Sequence, residues 1–203
     1  MAGTTTNYAW TYPTSTDLVK DGATAIQTAI QGADTTLFTA LGGNYPGMRL
    51  VKKQTIGSAV SSVTVSSAFS ATYDAYRIII TGGTGSVNND GIALTLGATV
   101  TGYNAGYSGA TYTTGINTTI SNNAAAAWNP SGYVQTDGIQ FDVDLANPFL
   151  AKNTYFSNKV ISSVNARTGA GVLLNTTSYT AFTIATSGTM TGGTIYVYGY
   201  GIS

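Results

Sequence analysis

The longest regular run of apolar positions lies in residues 14–41, TSTDLVKDGATAIQTAIQGADTTLFTAL. Ala23, Ile26, Ile30, Ala33, Leu37 and Ala40 recur at alternating steps of three and four. That is heptad spacing, with Ala23, Ile30 and Leu37 at a positions and Ile26, Ala33 and Ala40 at d positions. So narrow a stripe buries a helix poorly against a sheet; it suits a seam between copies of one helix. Ile at both a and d disfavours two strands and points to three. About three heptads, half of them alanine at the seam, make a helix that is marginal alone and belongs in a larger assembly. The competing expectation is an amphipathic helix packed on its own domain. Asp21 is placed to cap the N-terminus, Thr14 or Ser15 can cap an earlier turn, and Gly42-Gly43 with Pro46 supplies the stop. Gly22 and Gly32 each weaken the helix by about 1 kcal/mol relative to Ala. Gly32 is tolerable where neighbouring helices approach closely.

Beyond Leu50 the period changes to two. Residues 50–56, 60–65 and 76–81 read as strands, the last apolar enough to be central. Ile92, Leu94 and Leu96 alternate into a core. Residues 138–145, GIQFDVDL, set Phe141, Val143 and Leu145 on one face and Gln140, Asp142 and Asp144 on the other. Further strands are expected at 116–121, 155–164, 172–175, 181–185 and 193–200. The last puts Tyr196, Tyr198 and Tyr200 on one face, to pack on a partner subunit or line an outer face. Residues 97–115 are rich in Gly, Tyr, Asn and Ser, and 122–132 read as a loop carrying Trp128. About ten short strands with regular turn signals predict a β-sandwich of jelly-roll type. Ahead of the helix, Tyr8, Trp10 and Tyr12 recur at period two. One extended strand would set all three rings on one face, suited to docking on a partner or folding back on the chain's own domain.

Composition narrows the chemistry. Of 203 residues only 8% are charged, against a usual ~25%. Every acid is Asp, net charge is zero, and there is neither Cys nor His. Zero net charge gives no electrostatic case for nucleic acid or an anionic membrane. Without Cys there is no disulfide framework or thiolate, and without His the commonest general base and metal ligand are missing. Met1-Ala2-Gly3-Thr4 opens a polar segment with no signal-peptide pattern, and no apolar run approaches the ~18 residues of a membrane span. Yet a surface rich in Thr, Gly, Ser, Asn and Tyr suits work outside cells. A virion protein, assembled in the cytoplasm and released by lysis, reconciles the two.

Asp142 and Asp144 form the one close carboxylate pair within a strand, about 6.6 Å apart at strand rise. That is the low end for an inverting glycosidase, but two aspartates on an open polar face both stay ionised and neither serves as the acid. Calcium binding by the pair needs oxygens from elsewhere. Gly82-Gly83-Thr84-Gly85 lacks the helix and Lys-Ser/Thr of a phosphate cradle and reads as a turn. Binding is therefore expected rather than catalysis, with no cofactor. Tyr103, Tyr107, Tyr112 and Trp128, in glycine- and asparagine-rich loops, are the candidate receptor-contacting rings, suited to sugars and protein surfaces alike.

The run TNYAWTYPTSTDLVKDGATAIQTAIQGADTTL resembles the opening of tailed-bacteriophage fibre and minor tail proteins, in its W-x-x-P-x-S-x-D segment, its D-G-A-x-A-I step and the heptad that follows. The closing YTAFTIATSGTMTGGTIYVYGYGIS is similar to the final strands of β-rich phage fibre heads, and FDVDLANPF to a strand and turn of the same group. Together these cover roughly a third of the chain, and no catalytic motif carries over. The resemblance implies a homotrimer on the virion surface: an arm (1–13) bound to baseplate or tail proteins through Tyr8, Trp10 and Tyr12, a trimerising coiled-coil helix (14–43), and a jelly-roll-like head (44–203). It implies a short tail fibre that binds a host-surface glycan or protein. The alternative is a capsid decoration (cement) or head-fibre protein whose arm grips the shell.

Overall fold

The computed structural model of the chain describes residues 3–5, 10–12, 14, 19–37, 39 and 47–201. The chain divides into two compact units, Met1–Gly47 and Met48–Ser203.

In the first unit, β1 (Gly3–Thr4) and β2 (Thr11–Tyr12) form a short antiparallel pair, with Gly3 opposite Tyr12. Thr5 N–H donates to Trp10 O at 2.9 Å, and Trp10 N–H to Thr5 Oγ1 at 3.0 Å. Trp10 thus lies on a chain reversal rather than within one extended strand, as its period-two spacing had predicted; Tyr8 lies outside the described residues. The helix, α1, spans Val19–Leu37. It starts ahead of Asp21, so that carboxylate is not the cap. It sits in the first turn, where its negative charge faces the positive end of the helix dipole.

The second unit is mainly β. Its strands are β3 (Arg49–Thr55), β4 (Val60–Val65), β5 (Ala75–Thr81), β6 (Thr84–Gly85), β7 (Asp90–Leu96), β8 (Tyr103–Thr111), β9 (Asn117–Ala125), β10 (Trp128–Gln135), β11 (Gly138–Ala146), β12 (Thr154–Ile161), β13 (Asn165–Leu173), β14 (Phe182–Thr191) and β15 (Thr194–Tyr200). All pairings are antiparallel and join one 13-stranded sheet. One run of neighbours is β3-β15-β5-β11-β12-β13-β8-β9, and the other is β4-β14-β7-β10. β11 links them: Gly138–Phe141 pairs with β10, and Val143–Ala146 pairs with β12.

Strict alternation makes these strands bury one face. Tyr76, Ile78 and Ile80 point inward from β5, Ile92, Leu94 and Leu96 from β7, Phe141, Val143 and Leu145 from β11, and Ile195 and Val197 from β15. These side chains, with Phe182 and Ile184 of β14, form one core drawn from both runs. Phe69 closes it between Tyr76 (centroids 4.8 Å apart, edge-on) and Phe182 (5.7 Å).

Residues 97–115 and 122–132, which the sequence presents as glycine- and asparagine-rich loops, contribute β8, β9 and β10 instead. β8 and β10 hold few β-branched residues, and cross-strand packing takes their place. Gly169 of β13 faces Tyr107 of β8, and a Cβ on it would collide with the Tyr107 ring and with Asn158 Oδ1. Gly171 is likewise closed against Ala105. Glycine here makes room for a ring on the neighbouring strand.

Candidate functional site

The helix of the first unit carries two parallel stripes. Gly22, Ala25, Ala29, Gly32 and Thr36 are half-buried. Trp10 packs on this small-residue stripe: its Cδ1 lies 3.5 Å from where a Gly32 Cβ would stand, and its Nε1–H donates to Thr36 Oγ1 at 2.9 Å. About 100° round the helix runs the predicted seam. Ala23 is exposed and Ala33 half-buried. Ile26, Ile30 and Leu37 are 53%, 64% and 54% exposed. Ala40 lies outside the described residues.

This arrangement corrects two expectations. Gly32 accommodates the Trp10 indole rather than a neighbouring helix. Trp10 is also turned onto its own helix, so it is not an outward ring of an attachment strand; Tyr12, 43% exposed, is available. The indole settles there because Gly32 leaves space for its body and Thr36 offers an acceptor for its one polar atom. Replacing Gly32 with Ala should therefore raise helix stability by about 0.5–1 kcal/mol, since the new methyl meets Trp10 at an ordinary contact distance. A higher melting temperature of the helical circular-dichroism signal checks this; a lower one would mean that the indole needs still more room.

Three of the four candidate receptor rings lie in the core of the second unit. Tyr103 and Trp128 are 0% exposed and Tyr107 is 2% exposed. Trp128 stacks on Phe156 (4.6 Å, 14°), meets Tyr103 edge-on (4.9 Å, 81°), and donates its Nε1–H to Asn104 O at 3.2 Å. The Tyr103 hydroxyl accepts from Leu96 N–H at 2.7 Å and donates to Thr99 O at 3.1 Å. The Tyr107 hydroxyl donates to Asn122 Oδ1 at 3.2 Å. Rings packed this way, with their polar atoms paired, present nothing to a receptor. Tyr112, 56% exposed, remains a surface ring.

Burial pushes the Tyr103 hydroxyl up to about 12 from an ordinary 10.0, partly offset by the Leu96 N–H it accepts. Burial also raises Tyr107. A pKa raised by folding stabilises the fold fully below the unfolded value, and the benefit is lost as pH climbs through the folded value. Thermal stability should hold up to pH 10 and then fall towards pH 12, with Tyr103 accounting for about 3 kcal/mol. Melting curves combined with ultraviolet titration of the phenols check this. Ionisation of every ring near 10 without unfolding would contradict it.

Asp142 and Asp144 each have a partner, and both line a cleft of about 240 Å³ with Arg77, Ser157 and Lys159. Arg77 donates to Asp142 Oδ2 at 2.7 Å, and the Tyr200 hydroxyl donates to Asp144 Oδ1 at 3.1 Å. Burial raises the pKa of Tyr200, and the charge of Asp144 and their hydrogen bond reinforce the shift. Tyr196 and Tyr198 stack at 6.4 Å on the same half-buried outer face, with Lys53 Nζ 5.7 Å from the Tyr196 centroid. Among the described residues no three His, Cys, Asp or Glu side chains gather to hold a metal ion. No helix among them is long and apolar enough to cross a membrane.

One carboxylate escaped the sequence reading. Asp90, 9% exposed, accepts from Ser187 Oγ at 2.8 Å, Ser187 N–H at 3.3 Å and Gly188 N–H at 2.8 Å. The Asn89-Asp90-Gly91 triplet signals a turn, and nothing local signals that Asp90 reaches a strand almost a hundred residues away. Comparisons with protein-family models, with curated proteins and with solved structures find no match to this chain.

Proposed function

We propose that the chain is a structural virion protein, a short trimeric phage tail fibre that works by binding the host surface rather than by chemistry. The exposed heptad seam of α1 carries this reading. Ile26, Ile30 and Leu37 face outward while the helix's own small-residue stripe holds Trp10. A seam of Ile at both a and d is satisfied by two further copies, giving a three-helix coiled coil. Each Ile withdrawn from water contributes roughly 1.5–3 kcal/mol.

Strand order supports a jelly-roll sandwich for the head. The eight strands β3-β15-β5-β11 and β4-β14-β7-β10 are connected along the chain as two interlocked Greek keys would be. The pairs β8–β9 and β12–β13 are insertions that extend the first run beyond β11. Such a head is a rigid platform for its outer faces, and three copies convert weak sites into avid attachment. Pairing of Asp142 with Arg77 and of Asp144 with Tyr200 supports a binding role over hydrolysis.

The test is the mass of the full chain in solution by light scattering. Three times the 20.8 kDa chain mass is expected, and a single-chain mass would overturn the reading. Labelled copies on purified particles then locate the trimer. A few at the tail tip support the fibre; many spread over the shell would assign the capsid-decoration role instead.

A further inference from the structure

A cleft of about 470 Å³ opens on the side of β7 and β14 turned away from the core, within the roughly 300–1,000 Å³ usual for ligand sites. Its floor is Gly91, Ala93 and Ala185, with Ala93 and Ala185 directly paired across the two strands. Larger side chains at these positions would fill it. One wall is apolar, formed by Ile120 of β9 with Pro130 and the Tyr133 ring of β10. The rim is polar, formed by Asp90, Asn129 and Thr186.

Two of the rim groups are held ready. Asp90 is fixed by its three bonds to Ser187 and Gly188. The backbone of Asn129 is pinned by one side chain: Asn122 Oδ1 accepts from Asn129 N–H at 3.0 Å, and Asn122 Nδ2 donates to Asn129 O at 3.1 Å. The Asn129 carboxamide itself lies over Gly91, its Oδ1 2.7 Å from where a Cβ would stand, and the structure gives it no hydrogen-bond partner among the described residues. A fixed acceptor and a presented amide next to an apolar wall reduce the ordering cost of binding.

This chemistry selects a ligand class. Neither Lys nor Arg lines the cleft, and its one formal charge is the Asp90 carboxylate. The nearby Arg167 guanidinium is engaged by the Tyr133 hydroxyl at 2.6 Å and by Thr118 Oγ1 at 3.0 Å, so the lining itself offers no cation to an anionic ligand. An uncharged pyranose sugar has an apolar C–H face for the Ile120, Pro130 and Tyr133 wall, and a rim of hydroxyls that donate to Asp90 and exchange bonds with Asn129 and Thr186. We propose that this cleft binds a neutral pyranose unit of a host-surface glycan, an inference that rests on the fibre reading for the source of the sugar. Single-site affinity is expected to be millimolar, with three copies supplying avidity.

The experiment is saturation-transfer NMR on the full chain with the methyl glycosides of glucose, galactose, mannose and N-acetylglucosamine, and with N-acetylneuraminic acid as the anionic control. At least one neutral glycoside should receive saturation, and more strongly than the acid. Ala185→Leu fills the floor from outside the core and should abolish the signal; Asn129→Ala removes only a presented side chain and should weaken binding about tenfold or more. Unchanged melting temperatures confirm that the variants fold, and Asn129→Ala carries the test if Ala185→Leu does not. No signal from any neutral glycoside, a stronger one from the acid, or signals unchanged in the folded variants would overturn the proposal. Sugar binding by a single-chain species sinks the fibre reading and keeps the cleft, whereas a trimer that binds no sugar does the reverse.

Discussion

Replacing Trp128 with alanine should destabilise the β-rich unit by about 3–5 kcal/mol, the cost of removing a fully buried large ring. Trp128 fills the space between Phe156 and Tyr103, 4.6 Å and 4.9 Å away, so the cavity is bounded by strands whose pairing prevents collapse. The substitution also leaves Asn104 O without the indole N–H that it accepts. At roughly 2–4 °C per kcal/mol for a unit of this size, melting should drop by about 6–20 °C. Calorimetry or urea denaturation reads the change. Tyr112→Ala is the contrast: its ring is 56% exposed, and its loss should shift stability by no more than about 0.5 kcal/mol. Equal effects from the two would mean that burial does not separate the core ring from the surface ring. With the expected loss of stability, a receptor-binding phenotype of Trp128→Ala would be a folding defect rather than a lost contact.

Charging the helix seam should have the largest effect on assembly. The double substitution Ile26→Asp and Ile30→Asp removes one d and one a layer, six Ile side chains per trimer. At roughly 1.5–3 kcal/mol each, the gross burial lost is at most about 9–18 kcal/mol, and three like charges replace each apolar layer. The expected mass falls from that of three chains to that of one, while the β-sheet circular-dichroism signal stays intact. Substitution of Ala25, on the half-buried stripe beside Trp10, should leave the mass unchanged. If the double variant stays trimeric, contacts between β-rich units hold the assembly and the seam is incidental. If the unmodified chain is already a single chain, there is no trimer for the seam to hold.

How far the fold was legible depended on whether its signal was local. In β5, β7, β11 and β15 every second residue is a large apolar one, and the structure buries those residues. The helix α1 was equally readable, because the spacing of Ile26, Ile30 and Leu37 lies within one element. In β8 and β10 that signal is missing. Their rings look like loop aromatics until β13 is paired alongside, when Gly169 proves to be the space that Tyr107 occupies. Trp10 depended on the same kind of information: period-two spacing left docking on a partner and folding back both open, and Gly32 in the next element is where the indole packs.

The sequence by itself therefore determined the mainly β character of residues beyond Leu50, the faces of the regularly alternating strands, the spacing of the apolar stripe on the helix and the lack of any thiol or imidazole group. Each follows from residue types and their spacing within a single element. Only the tertiary structure decided which aromatics are core, which carboxylates are paired and where a cleft opens. Asp90 reaches Ser187, and Ile120 of β9 faces the floor laid by β7 and β14. Those juxtapositions depend on which strands pair across long stretches of chain, and pairing is set by the summed burial of many side chains rather than by any short motif.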